Sequence, residues 1–195
     1  MRKGEQTRER ILSRAAEVFS MRGANGASLS DIMTATGLQK GGIYNHFGSK
    51  NDLALASFDH AASLIERRFA GVWREEGIAA LLAFVATFRD YAQNPPLAGG
   101  CPLLNTAIDS DDTHPVLRDR VRSLAGGLRE RLRRAIADGK TRGEIRAEVD
   151  ADALATVIFA SLEGGVMLSK LYGDLIHLDR CADHLVEHIE RNVRT

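Results

Sequence analysis

The chain has 195 residues, of which 44% are apolar and 27% charged, and its formal net charge is zero. This length suits one large domain or two small ones. Two cysteines are too few for a disulfide framework, which excludes a small disulfide-stabilised secreted domain. No secretory or twin-arginine pattern opens the chain, and the longest apolar run, residues 78–88, is too short to cross a bilayer. We expect a cytoplasmic protein that does not enter membranes.

Sequence motifs typical of enzymes are absent. The chain has no phosphate-binding loop, no dinucleotide-binding glycine pattern, no HExxH sequence and no nucleophile elbow. Its few histidines are not obviously paired with a nucleophile. These observations argue against an enzyme and imply no cofactor.

The charges are unevenly distributed along the chain. Residues 1–50 carry eight Lys and Arg against four Asp and Glu, a net charge of +4, and the remainder carries −4. A basic N-terminal part favours contact with nucleic acid, and an acidic remainder favours a body that does not bind it. A four-charge excess can also arise by chance, so this observation is weak alone.

The first predicted element is a helix over residues 7–22. Its apolar positions recur at helical spacing and form one stripe, and Gly23 and Gly26 follow where the helix should end. A second short helix follows Ser28, a good N-cap, with Asp31 in the position of a capping box. Gly37 then stands where a tight turn needs a residue that tolerates positive φ.

The next predicted helix, residues 39–47, is too polar to be ordinary core. Only Ile43 and Phe47, four residues apart, supply an apolar face. The adjacent Gly41 and Gly42 cost roughly 1 kcal/mol each relative to alanine. A helix that accepts this cost needs its backbone close to another molecule, and a DNA major groove admits such a helix.

The segment resembles the DNA-binding domain of the TetR family of transcriptional repressors. The matching residues are Gly37-Leu38, the run 40–47, Ser49-Lys50 and Leu53. The resemblance implies an all-α fold, with a three-helix helix-turn-helix DNA-binding domain over residues 1–50. It implies a ligand-binding and dimerisation bundle of six to seven helices over residues 51–195.

The function implied by the resemblance is transcriptional repression. A homodimer would bind a palindromic operator in double-stranded DNA through helix 39–47, and a small-molecule inducer bound in the helical body would release it. Whether binding represses or activates, which operator is bound and which inducer acts stay open.

The resemblance assigns the DNA contacts residue by residue. Residues expected near base edges or the adjacent backbone are Lys40, Gly41, Gly42 and Asn45. Residues expected on phosphates are Ser28, Ser30, Tyr44, His46 and Lys50. Two alternatives stay open: Tyr44 as a packing residue, and His46 as a solvated histidine at a helix end.

The body is predicted to consist of further helices. One runs from Ser49 to about Trp73, a central apolar one covers 78–93, a short one covers 103–108, and a long arginine-rich one follows Thr113. The last two long helices span about 150–171 and 178–193. The resemblance implies that they pair with their copies in the dimer; the alternative is burial within one subunit.

A ligand pocket is expected among the apolar helices. Its predicted walls are Trp73, Phe84, Phe88, Tyr91 and Leu104. Glu163 is a carboxylate within an apolar stretch, and we consider three roles for it: a ligand contact, a hydrogen-bonding group in the dimer interface, or a side chain facing water.

Cys101 is a candidate sensor of electrophiles or oxidants. It follows two glycines and precedes Pro102 at a predicted helix start, where a thiol becomes more reactive. The alternative is a free cysteine that acts as a small buried hydrophobe.

Four potential zinc ligands fall within an arc of about 60° on the last helix. They are His177, Cys181, His184 and His188. We predict no metal site, because the stripe adjoins apolar residues and fits the polar edge of a dimer seam better. A helical ligand-binding protein without a DNA role is the remaining rival class, and it leaves the segment 40–50 unexplained.

Overall fold

The computed structural model describes residues 3–195, so Met1 and Arg2, which were counted in the predicted N-terminal domain, lie outside the described residues. Within that range the chain forms nine α-helices and no strand, which confirms the predicted all-α class. The helices are α1 (Lys3–Gly26), α2 (Leu29–Thr36), α3 (Lys40–Tyr44), α4 (Lys50–Phe69), α5 (Gly77–Gln93), α6 (Pro102–Ser110), α7 (Pro115–Thr141), α8 (Ala151–Tyr172) and α9 (Ile176–His188). A 3₁₀ turn (Val72–Arg74) precedes α5, and a π-helical turn (Ile189–Val193) follows α9.

The helices form two compact units. The first comprises the residues up to 65 together with 96–123, and the second comprises 66–95 together with 124–195. The first unit therefore contains α6 and the start of α7 as well as the N-terminal helices. The division at residue 50 concerns which residues bind DNA and which bind ligand, and it stays a prediction.

The core of the first unit is small and joins its first four helices. α1 buries its apolar stripe, α2 contributes Ile32, α3 contributes Ile43, and Phe47 follows α3. The buried set is Ile11, Leu12, Ala15, Val18, Ala27, Ile32, Ile43, Phe47 and Leu53. Because Leu53 belongs to α4, this helix completes the core of the three helices before it.

α1 is kinked near its C-terminal end and is bonded there to α6. Gly23 has φ 73° and ψ 165°, which interrupts the helical hydrogen bonding that the sequence analysis expected to end there. The backbone N–H of Ala24 donates instead to Asp109 Oδ2 at 2.7 Å. The Asn105 amide of α6 also donates to the carbonyl oxygen of Ser20, at 2.9 Å. α6 thus supplies acceptors and donors where α1 has lost its own.

The turn between α2 and α3 has the predicted form. Gly37 caps α2 in the left-handed region with φ 68°, a conformation that glycine adopts without strain. The Thr36 hydroxyl donates to the Ile32 carbonyl at 2.8 Å and accepts the Leu38 N–H at 3.3 Å. This buried hydroxyl connects the last turn of α2 to the chain that enters α3.

α3 is shorter than the helix predicted over residues 39–47. Regular helix covers only Lys40–Tyr44. Beyond it the His46 N–H bonds the Ile43 carbonyl at 3.0 Å, three residues back, which tightens the backbone into a turn. Gly48 and Ser49, which caps α4, follow this turn. Asn45 and His46 therefore lie on this turn.

α8 and α9 pack closely against each other in the second unit. Asp150 caps α8 by accepting the N–H groups of Asp152 and Ala153 at 2.9 and 3.0 Å. A Cβ at Gly165 would lie 3.0 Å from the Cα of Leu178 on α9. The two helices approach each other this closely only because residue 165 lacks a side chain.

α8 is also long and apolar enough to cross a membrane by length and composition. Its mean hydropathy over an 18-residue window is 1.5, and 39% of that window is buried. This helix was predicted over about 150–171, but the longest uninterrupted apolar run was placed at 78–88, because Glu163 and Lys170 interrupt the apolar residues of α8. One such helix is weak evidence for a membrane span, since core helices of soluble proteins have the same properties.

Replacing Gly165 with alanine is expected to destabilise the fold by about 1–3 kcal/mol, because the new methyl group meets backbone that cannot move aside. Gly126→Ala in α7 is the matched control. Its Cβ would meet nothing within 4 Å, so improved helix propensity should stabilise the protein by up to about 1 kcal/mol. Urea unfolding at equal protein concentration measures both. A Gly165→Ala protein as stable as the parent would contradict this account.

Candidate functional site

α3 and the turn after it have one buried side and one open side. Ile43 and Phe47 are buried, whereas Lys40, Gly41 and Asn45 are exposed. The remaining predicted contacts around α3 are half-buried: Gly42, Tyr44, His46 and Lys50. The structure therefore places these seven predicted residues around α3 outside the core that anchors it.

The two glycines of α3 are not required by the fold. Neither has a positive φ. A Cβ at Gly41 would meet nothing within 4 Å, and one at Gly42 would make an ordinary contact of 3.6 Å with Leu38 Cβ. Since alanine would stabilise an exposed helix at either position, the fold alone does not account for glycine. The space beside Gly41 lies open to another molecule.

Two cations lie over aromatic rings around α3. The Lys40 ammonium is 5.8 Å from the Tyr44 ring centroid, and the Arg8 guanidinium is 5.1 Å from the Phe47 ring centroid. Such contacts contribute roughly 0.5–1 kcal/mol at exposed sites. They hold positive charge at the surface beside α3.

Ser28 is engaged in capping α2. Its Oγ accepts the Asp31 N–H at 3.1 Å, and its own N–H donates to Asp31 Oδ2 at 2.8 Å, which confirms the predicted capping box. Arg22 lies 3.0 Å from Asp31 Oδ1. Ser30 is exposed on the first turn of α2. Both serines are predicted phosphate contacts. The hydroxyl of Ser28 is already used in the capping box, whereas Ser30 is exposed.

The capping box lowers the pKa of Asp31. The largest cause is the hydrogen bond from the Ser28 hydroxyl, followed by the bond from the Ser28 backbone N–H, and Arg22 adds a favourable charge. These groups all stabilise the ionised carboxylate. The start of α2 thus depends on a charged Asp31.

Thr36 is a site residue that the sequence analysis missed. Its buried hydroxyl fixes the entry to the turn before α3, so Thr36 supports the site from within and does not lie on its surface. The signal was available, because a polar residue precedes Gly37 at a position that the helix buries.

Four predicted ligand-binding residues form one aromatic cluster in the second unit. Phe84 lies near the centre, with ring centroids 5.7 Å from Trp73 and 5.9 Å from Phe88. Tyr91 lies 6.5 Å from Phe88, and Phe69, which the prediction omitted, lies 5.1 Å from Phe84. The rings contact one another directly, as aromatic side chains in a core do.

One polar atom in this cluster has spare bonding capacity. The Trp73 Nε1–H is buried and finds no hydrogen-bond acceptor among residues 3–195. The Arg131 guanidinium lies over the face of the ring, 5.4 Å from its centroid. A bound molecule carrying an acceptor could satisfy this donor.

The remaining predicted ligand residues are not all in the same unit. Glu163 is buried in α8 of the second unit, with 6% of its surface exposed. Cys101 and Leu104 belong to the first unit. Cys101 is only 4% exposed, which counts against the sensor hypothesis because reactive thiols are partly accessible.

The histidine stripe of α9 takes the predicted helical arrangement. His184 and His188 stack with ring centroids 6.3 Å apart, and His177 lies 5.0 Å from the Tyr172 ring. Within residues 3–195, no three His, Cys, Asp or Glu side chains are grouped so that they could hold a metal ion.

α2 with its capping box, the left-handed turn at Gly37 and the short exposed α3 that follows form a helix-turn-helix of the kind found in DNA-binding proteins. Two family profiles match the chain. The profile described as "Bacterial regulatory proteins, tetR family" matches residues 11–57, and "Tetracyclin repressor-like, C-terminal domain" matches residues 77–185.

Individual proteins agree over nearly the whole length. A TetR transcriptional regulator from Chloroflexus aurantiacus J-10-FL has a crystal structure with 50% identity, a TM-score of 0.95, and coverage of 100% of this chain and 99% of that one. The regulator LmrA of Bacillus subtilis strain 168 is 27% identical over 191 residues, 93% of this chain and 97% of LmrA. The repressor DhaR of Mycobacterium sp. strain GP1 is 24% identical over 174 residues, 89% of this chain and 87% of DhaR. The chain belongs to the TetR family of transcriptional regulators.

Removing the carboxylate with Asp31→Asn is expected to lower stability at neutral pH and to flatten its loss in acid. Because the folded-state pKa lies below the ordinary 3.8, the contribution of Asp31 is complete above that value. It is lost as the pH falls through the lowered folded-state pKa, so the parent and the variant should converge there. Urea midpoints from about pH 7 to about pH 2.5 measure this. Asp112→Asn, an exposed control, should unfold at the same urea concentration as the parent. A difference in stability between the parent and Asp31→Asn that stays constant across this pH range would contradict the prediction.

Proposed function

We propose that this protein is a repressor that binds a palindromic operator as a homodimer, with α3 of each protomer in the major groove. The observation that carries the proposal is the pair of glycines on the open side of α3, which the fold does not need. Glycines allow backbone to approach bases closely. The rival, a ligand-binding protein without a DNA role, leaves this feature without a reason.

The site residues divide by chemistry. Lys40 and Asn45 are exposed and carry donors that can read base edges, and Asn also carries an acceptor. Gly41 and Gly42 admit the backbone to the groove. Residues proposed to contact phosphates, and so to fix the register without reading sequence, are Ser28, Ser30, Tyr44, His46 and Lys50.

Gly41→Ala is expected to separate binding from folding. In the free protein the new methyl group has open space, so stability should rise by up to about 1 kcal/mol. On DNA the same methyl group occupies the space needed for the groove, so operator affinity should fall by about tenfold or more. Fluorescence anisotropy with DNA flanking the coding region, repeated across a salt series, measures affinity and the number of phosphate contacts.

The matched control for that experiment is Gly126→Ala, a helical glycine in the second unit with equally open space. It should gain stability and keep operator affinity. Parent protein that binds this DNA no better than random competitor would leave two readings, an operator elsewhere or the rival class. If Gly41→Ala binds the operator as tightly as the parent, the proposal that Gly41 allows close approach to DNA is wrong.

An apolar surface on α8 and α9 supports dimerisation. Among the described residues ten large apolar side chains are exposed, and seven of them lie between residues 157 and 186. They are Val157, Met167, Leu171, Tyr172, Leu175, Ile176 and Val186. Exposed apolar surface of this kind marks interfaces, and a reader of two half-sites needs two copies. We assign the apolar length of α8 to this interface rather than to a membrane, and propose that the protein acts in the cytoplasm.

Leu171→Asp is expected to convert the dimer to monomer, because Leu171 is 71% exposed in the single chain and a carboxylate would be buried in the interface. Ile108→Asp is the control, since Ile108 is 63% exposed but lies on α6. Light scattering coupled to size-exclusion chromatography reports the mass of each. A dimeric Leu171→Asp protein, or a monomeric parent, would refute this interface.

The proposed inducer site lies in the aromatic cluster of the second unit. Its support is the buried Trp73 Nε1–H without an acceptor in the described chain, together with the surrounding rings. A ligand that accepts this hydrogen bond must displace ring contacts, which gives it unequal affinity for two conformations. Such a difference is what shifts a population toward the form that releases DNA.

A further inference from the structure

The first unit contains a groove that the proposed function does not use. It is lined by parts of α1, α4, α6 and the start of α7, all within that unit. The space enclosed within it is about 20 Å³, room for about one or two water-sized groups. The enclosed part is therefore small, and only a compact group can enter it.

Ser57 gives the groove an unused polar atom. The residue is 1% exposed on α4 and lines the groove. Its Oγ is buried without a hydrogen-bond partner among the described residues. A helical serine usually satisfies its hydroxyl at the carbonyl four residues back, and a buried hydroxyl without a partner costs free energy. The groove therefore presents a polar atom that an occupant can satisfy.

Asp109 gives the groove its charge. Its Oδ2 accepts the Ala24 N–H at 2.7 Å, which leaves further acceptor capacity on the carboxylate. No Lys or Arg lines the groove, and Asp109 has no ion pair among the described residues. An anion would be repelled here, whereas a cation with N–H donors would be attracted.

We propose that this groove binds the head group of a short primary amine. The ammonium carries three donors and no acceptor, which suits the carboxylate of Asp109 and the free lone pairs of Ser57 Oγ. The alkyl part lies against apolar walls that include Phe19, Phe58 and Leu117. The site belongs to the DNA-free protein, so it does not rest on operator recognition.

The test uses three probes of matched size and different charge: n-butylamine, n-butanol and n-butyrate. The Ala24 amide, which donates to Asp109, is the local reporter in the NMR spectrum of isotope-labelled full-length protein. We expect a saturable shift of this resonance with n-butylamine at about tenfold lower concentration than with n-butanol, and no saturable shift with n-butyrate.

Two variants decide the roles of the polar atoms. Asp109→Asn keeps an oxygen for the Ala24 N–H but removes the charge, and it should weaken n-butylamine binding about tenfold while n-butanol binding stays unchanged. Asp112→Asn, an exposed carboxylate that does not line the groove, should keep the parent affinity. Ser57→Ala should raise the melting temperature of the probe-free protein and weaken n-butylamine binding about threefold.

The proposal fails if the three probes shift the Ala24 resonance at the same concentrations, because the groove then has no preference for a cation. It fails equally if Asp109→Asn binds n-butylamine as the parent does. A Ser57→Ala protein that melts lower than the parent would show that ordered water already satisfies the hydroxyl, which overturns the assigned role of Ser57. All readouts come from protein without DNA, so a failed operator experiment does not affect them.

Discussion

The anchoring of α3 by Ile43 and Phe47 is the contact on which the DNA-binding unit depends. A helix of five residues with two glycines has no stability of its own, because so short a segment cannot repay the cost of nucleation. Both anchors are buried in a core shared with α1, α2 and α4. The position of the exposed side chains of α3 is therefore set by packing on its opposite side.

Local devices around α3 limit the ways in which it can lie. The Ser28–Asp31 capping box starts α2, and Gly37 with the Thr36 hydroxyl fixes the turn that follows. Each device contributes on the order of 1 kcal/mol or less, so none determines the fold alone. Together they restrict the path of the chain into α3, so that this helix tolerates two glycines on its open side.

Specific hydrogen bonds also fix the contact between α6 and the kink of α1. Gly23 breaks the helical ladder, and Asp109 and Asn105 supply the partners that the backbone then needs. The structure thus joins the helix-turn-helix to α6 by directional bonds rather than by apolar packing alone.

Much of this protein follows from its sequence. Helical periodicity predicts α1, the Ser28–Asp31 spacing predicts the start of α2, and Gly37 predicts the left-handed turn, because each depends on neighbours in the chain. The polar character of residues 40–46 likewise predicts that α3 is exposed on one side. The short length of α3 was not predicted: regular helix ends at Tyr44, whereas the apolar spacing of Ile43 and Phe47 extends the predicted helix to residue 47.

Only the tertiary structure decided how distant segments meet. Nothing in the local sequence indicates that the Asp109 carboxylate accepts the Ala24 N–H, or that Cys101 and Leu104 belong to a different unit from Trp73. Helical periodicity likewise does not show which apolar side chains of α8 are exposed, because that helix is apolar on several faces. Contacts across many residues depend on how helices pack, and no pattern within one helix encodes its partner.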